Sequence, residues 1–148
     1  MASAKNFKLT LDVVVKKDDN LQVYYTQSDT ENFTEEKSIW VPVKGSEDLQ
    51  KVVFNFPAGV APKLLRLDFG LNKQQEDIKF SEANMEYAGK KFTANGGMLG
   101  IYFRPLAPTV FDMKTGMLWA KDANGNRVEP VLYPHEAPLG RELAKLEQ

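Results

Sequence analysis

Few side chains in this sequence are suited to chemistry, and the best placed stand in "KLLRLDFG", where Arg66 and Asp68 are two residues apart. Side chains at i and i+2 of a strand project from the same face. Leu65, Leu67 and Phe69 then take the core side, and the charged pair takes the other. An arginine fork beside a carboxylate can orient a polar ligand. Without a ligand, the same two residues make a solvated ion pair worth roughly 0.2–1 kcal/mol. The residues alone favour that second reading.

Aromatic residues give a second set of candidates. Tyr24 and Trp40 fall on faces opposite to the aliphatic residues of their own segments, "LQVYYTQ" and "SIWVPVKG". An exposed indole or phenol can stack on the apolar face of a sugar ring while nearby polar groups take the hydroxyls. Asp29, Asn32, Asn72, Gln74 and Gln75 lie in adjoining loops and are available for that role. Taken singly, each aromatic is more often cross-strand packing.

Several catalytic classes are excluded by what is missing. The chain has no cysteine and one histidine, His135. Thiolate metal sites, cysteine nucleophiles and disulfides are therefore absent, and a metal site built from several histidines cannot form. No G-x-S-x-G context accompanies His135, which argues against a serine hydrolase. "DANGN" has oxygen-bearing residues at Asp122, Asn124 and Asn126, but it lacks the length of a calcium loop and reads better as a hairpin turn. Gly96–Gly97 precedes no helix pattern and is not a phosphate loop. Paired carboxylates for glycoside hydrolysis stay open, with Asp68 the carboxylate in the most apolar setting. No metal or cofactor is expected.

The elements that position these residues follow a two-residue rhythm. "NFKLTLDVVVK" aligns Phe7, Leu9, Leu11, Val13 and Val15 on one face, the pattern of a half-buried strand. "KDDN" reads as a turn joining it in a hairpin to Leu21, Val23 and Tyr25. Pro42 places the strand around Trp40 at a sheet edge or bulge. A kink or bulge is expected near Ser81 to Ala83. "MLGIYFR" reads as a strand, and "TVFDM" and "MLWAKD" flank the turn "KTG". Only "PLGRELAKLEQ" is helical, with Leu139, Leu143 and Leu146 at helical spacing. About nine to eleven short strands with regular turns indicate an all-β antiparallel sandwich with a short C-terminal helix. Its 148 residues suit one domain, with residues 105–148 forming an appended hairpin and tail.

The formal net charge is −1, without a basic stripe, so nucleic acid is not an expected partner. No apolar run approaches the ~20 residues of a membrane span, so no membrane insertion is expected within this chain. The N-terminus lacks the apolar core of a signal peptide. The chain is then either cytoplasmic or a mature or excised part of a longer exported protein.

The order of features, from "LQVYYTQ" through "KSIWVPVKGSEDLQKVVFNFP" to "LLRLDFGLNKQQEDIKFSEANMEYAGKKF", resembles a galactose-binding-like jelly-roll module. It is similar to those in extracytoplasmic domains of Bacteroidetes envelope proteins. Arg66, Asp68 and Gly70 match an "R-x-D-x-G" strand. Ile78, Phe80 and Ala83 loosely match the strand that follows it, and Gln50 to Phe54 match a "Q-x-V-x-F" segment. The likeness covers roughly Leu21 to Phe103 and leaves the part after Pro105 without a counterpart. It implies a non-catalytic, extracytoplasmic module at the periplasm or cell surface that commonly binds carbohydrate. The expectation is therefore recognition of a saccharide or polysaccharide, with Trp40 and Tyr24 stacking and Arg66 and Asp68 making polar contacts. The alternatives are a structural or protein-interaction domain without a small ligand, and a small glycan-active enzyme.

Overall fold

The computed structural model describes residues 5–148. Two antiparallel sheets face each other across one core. The first is built from β1 (Lys8–Val14), β4 (Gln50–Asn55), β6 (Ile78–Tyr87), β9 (Thr109–Asp112) and β10 (Met117–Ala120), in the order β4-β1-β6-β10-β9, and β7 (Lys90–Asn95) also pairs with β6. The second is built from β2 (Asp19–Thr26), β3 (Ser38–Val43), β5 (Leu64–Asp68), β8 (Phe103–Pro105) and β11 (Val131–Pro134), in the order β3-β2-β5-β11-β8. A four-residue helix α1 (Leu99–Tyr102) precedes β8, and helix α2 (Glu136–Glu147) ends the chain.

The alternation read from the sequence sets this arrangement. Phe7, Leu9, Leu11, Val13 and Val15 are buried from the first sheet, and Leu21, Val23, Tyr25, Leu65, Leu67 and Phe69 meet them from the second. Such burial stabilises by roughly 1.5–3 kcal/mol for each large apolar side chain. Leu139, Leu143 and Leu146 of α2 join the same core. Pro42 lies on β3, at the edge of its sheet, where a missing N–H costs no ladder bond. The expected bulge is present: Asp12 pairs with Glu82 but Val13 pairs with Phe80, which leaves Ser81 as the extra residue.

Three expectations are corrected. The first two strands do not form a hairpin, because β1 pairs with β4 and β6 while β2 pairs with β3 and β5. The "KDDN" turn carries the chain from one sheet to the other. "MLGIYFR" is not one strand: its first half closes into α1, which buries Leu99 and Tyr102. Residues 105–148 contribute β9 and β10 to the first sheet and β11 to the interior of the second, so this segment is built into both layers.

Gly70 ends β5 with φ of +101°, in the region that favours glycine. A Cβ there would lie 2.3 Å from the Asp19 carboxylate. That carboxylate is buried and accepts bonds from the Asn20 and Asn72 N–H groups and from the Gln75 amide. Gly59 also has a positive φ, of +79°, but open space around it. Gly59→Ala should therefore cost only the backbone conformation, about 1 kcal/mol. Gly70→Ala should cost roughly 2–4 kcal/mol, because it adds a clash with a buried charge. Urea denaturation of the two variants checks this, and equal losses would contradict the steric account.

Candidate functional site

Strand register assembles the four sequence-predicted residues on one surface, the outer face of the second sheet. Trp40 on β3 pairs with Gln22 on β2, and Gln22 pairs with Asp68 on β5. In the neighbouring row, Ser38 pairs with Tyr24 and Tyr24 with Arg66. Farther across, Tyr133 of β11 pairs with Arg104 of β8. Five strands thus present a continuous polar and aromatic face.

That face is not uniformly open. Trp40 is 44% exposed, whereas Tyr24 is 8% and Asp68 2% exposed. The cover is the 27–37 connection between β2 and β3, which folds back over the sheet as a strap. Phe33 packs edge-on against Tyr24 (centroids 6.4 Å apart) and Tyr133 (5.8 Å). Glu35 accepts bonds from the Tyr24 hydroxyl (2.9 Å) and the Gln22 amide (3.2 Å). Glu31 holds Arg104 through both carboxylate oxygens, at 2.9 and 3.0 Å.

Beneath the strap, Arg66 donates from Nε to Asp68 Oδ1 (2.9 Å) and from Nη2 to Oδ2 (2.7 Å). Its guanidinium lies 4.3 Å from the Tyr24 ring centroid and 5.3 Å from that of Tyr133. Arg104 approaches Tyr133 too, at 5.2 Å. The solvated ion pair expected from sequence is thus a shielded one: the Asp68 side chain is 1% exposed and that of Arg66 20%. Cation–π contact and shielding strengthen such a pair relative to a surface one.

A residue that sequence reading did not single out completes the cluster. Glu129, in the segment before β11, lies beside Asp68. Its Oε2 is buried, and among the described residues no hydrogen-bond partner meets it while the carboxyl is ionised. Burial first, then the charge of Asp68 and a hydrogen bond with it, push the Glu129 carboxyl up to about 7. A protonated Glu129 donates to Asp68, which removes the orphaned acceptor and keeps one negative charge for Arg66. Burial likewise raises Asp68, although the Arg66 hydrogen bonds and charge and the bond from Glu129 pull it back. Burial and the Glu35 carboxylate together raise the Tyr24 phenol. The Asp68 and Glu129 carboxyls thus share a proton beside the Arg66 guanidinium.

The open end of the face leads to a depression of about 760 Å3, lined in part by Asp18, Asn20, Pro42, Lys44, Leu71 and Asn72. Pro42 pairs with Asn20, and both are two residues along their strands from the Trp40–Gln22 pair, on the same face. Arg127 fixes the wall of this depression by donating to the carbonyls of Phe69, Gly70 and Asn72, at 2.8–3.0 Å. Among the loop residues expected to serve a ligand, Asn72 reaches the rim. Gln75 is buried and engaged with Lys17 and Asp19. Gln74 lines a separate pocket with Arg127 and Asp122, and Asp29 lies beside α2. Asp122 accepts the N–H groups of Asn124 and Asn126, as a turn requires. Among the described residues no group of three or more His, Asp or Glu side chains gathers as metal ligands, and no helix is long and apolar enough to cross a membrane.

The shared proton has a measurable consequence. Between about pH 4.5, where an unperturbed glutamate titrates, and about 7, the unfolded chain releases the Glu129 proton while the folded chain keeps it. The unfolded state then binds fewer protons, so stability from this group falls as pH rises through that window. Glu129→Gln keeps the donor and removes the titration. The variant should gain stability relative to the parent between pH 4.5 and 7, with the difference levelling off above about 7, as followed by thermal melts. A difference independent of pH would overturn the shared-proton assignment. No protein-family model, curated protein or solved structure matches this chain.

Proposed function

We propose that this chain is a non-catalytic recognition module that binds a saccharide at the open end of the second sheet's outer face. The observation carrying this reading is the position of Trp40. Its indole stands 44% exposed on an edge strand, although a tryptophan usually buries most of its surface. It shares a face with the Gln22 amide and the Asn20 side chain, beside a depression bordered by Asn72, Asp18 and Lys44. An apolar plate next to amide, carboxylate and ammonium groups suits a sugar ring, whose faces are apolar and whose edges carry hydroxyls.

Trp40 supplies stacking, and Asn20 and Asn72 supply donors and acceptors. Tyr24, Arg66 and Asp68 take a supporting part, since the strap covers them and they are bonded to one another and to Glu35. The finer description of the sandwich as a galactose-binding-like jelly roll is supported by the alternation of strands between sheets and by the R-x-D-x-G strand. A place at the periplasm or cell surface, as part of a longer envelope protein, belongs to the same proposal.

Binding should quench or shift the fluorescence of Trp40, and Trp119→Phe removes the other tryptophan from the signal. Titration with a panel of neutral and acidic oligosaccharides should give a saturable change for at least one of them. Trp40→Ala should weaken that binding at least tenfold, measured by calorimetry, with an unchanged far-ultraviolet circular dichroism spectrum. Absence of binding across the panel, or an affinity unmoved by Trp40→Ala, would overturn the proposal.

A further inference from the structure

We infer that the closed part of the same face is a docking site for a partner peptide in which an aromatic residue is flanked two positions away on each side by an acidic one, and that the strap occupies it in cis. This inference goes beyond saccharide recognition and does not depend on it, because it concerns β2, β5, β11 and β8 rather than the Trp40 edge.

The connection from β2 to β3 joins two adjacent antiparallel strands, a task that two residues can perform. It uses eleven, 27–37. The excess chain is laid across the sheet with Glu31, Phe33 and Glu35 each meeting a complementary group. Glu31 meets Arg104 at the β8 edge. Phe33 enters the gap between Tyr133 and Tyr24. Glu35 meets Tyr24 and Gln22 over β2. Three interstrand spacings separate β8 from β2, about 14 Å, and the reach of the Glu31 and Glu35 side chains lets the four steps between them bridge it, although a bond from the Phe33 N–H to the Glu31 carbonyl shortens the backbone there.

The face therefore reads a pattern: a guanidinium for one acid, an aromatic slot for the ring, and a phenol and an amide for the second acid. Arg66 stiffens the slot from below by stacking against both tyrosines, while Asp68 neutralises it. Removing the strap would leave Arg104 without its hydrogen-bonded partner Glu31 and two tyrosine rings open to water. A segment of like chemistry on another protein would restore every one of these contacts. Such a segment must compete with a tethered copy whose effective concentration is on the order of millimolar, so engagement is graded rather than constitutive. Glu136 at the start of α2 faces Glu31, with its carboxyl raised first by a hydrogen bond to it.

The probe is a fluorescein-labelled peptide, TENFTEEK, read by fluorescence polarisation. The full chain should bind it at least tenfold more weakly than a chain whose residues 27–35 are replaced by Asn-Gly. In the shortened chain, Arg104→Ala should weaken binding at least tenfold, and a TENATEEK peptide should compete poorly. Equal affinity for the full and shortened chains, no binding to a shortened chain with an unchanged far-ultraviolet spectrum, or indifference to Arg104→Ala would each overturn the inference. If the shortened chain does not fold, the full-length Glu31→Gln/Phe33→Ala variant decides the matter by the same criteria.

Discussion

A guanidinium on a covered sheet face must be neutralised in place, and the outer half of the second sheet is organised around meeting that demand. Arg66 cannot lose its charge at any ordinary pH. Asp68 answers it through two parallel hydrogen bonds from the same strand. Tyr24 and Tyr133 close over the cation from the neighbouring strands, and Phe33 of the strap wedges between them. Burial, and then the charge of Asp68, keep Glu129 protonated below about pH 7, against the opposing pull of Arg66 and Arg127. The bonded carboxylate, the two flanking phenols and the ring of the strap thus gather around a single charge placed at position 66.

Such a cluster contributes more to specificity than to stability. Burying an ion pair seldom yields much net free energy against an apolar alternative of the same shape. It does forbid other arrangements. A slip of β5 by one residue would turn Arg66 and Asp68 into the core and Leu65 and Leu67 outward. The pair therefore fixes the register of β5 against β2 and β11. The same register aligns Tyr24, Tyr133 and Arg104 across the face and sets Trp40 beside Gln22.

Local periodicity makes much of this legible in the sequence. Alternation placed Leu65, Leu67 and Phe69 inward and Arg66 and Asp68 outward, and it placed Tyr24 and Trp40 on the same side as the charged pair. Pro42 signalled an edge, and the leucines of the last segment signalled α2. What failed was whatever depends on partners distant in sequence. A turn motif cannot show whether two strands pair or pass to opposite sheets, and "KDDN" reads the same in either case. "MLGIYFR" has a strand composition, yet burial of Leu99 and Tyr102 next to α2 bends it into a helical turn. Glu129 gives no signal, because its carboxyl is perturbed by tertiary burial and then by a residue sixty-one positions earlier. The strap looked like an ordinary polar loop; only Phe33, a lone aromatic among acids and amides, hinted that the segment had something to bury.

The distribution of cover over this one face carries the functional argument furthest. If the outer surface served only to finish a sandwich, economy would favour burying its largest apolar side chain first. The chain does the reverse. Eleven residues of strap shield Arg66, Tyr24 and Tyr133, groups that water solvates tolerably well, while the indole of Trp40 stays in solvent at the edge. Covering polar aromatics requires the strap to bring matched acids and a ring of its own, so shielding is achieved through recognition chemistry rather than grease. Leaving 44% of Trp40 exposed forfeits roughly 1 kcal/mol of the burial expected for so large a side chain. Of the two choices, leaving part of the indole in solvent works against folding stability taken alone. They are consistent with a surface whose two ends are kept for contact with other molecules, one standing open and the other held closed by a segment of the chain itself.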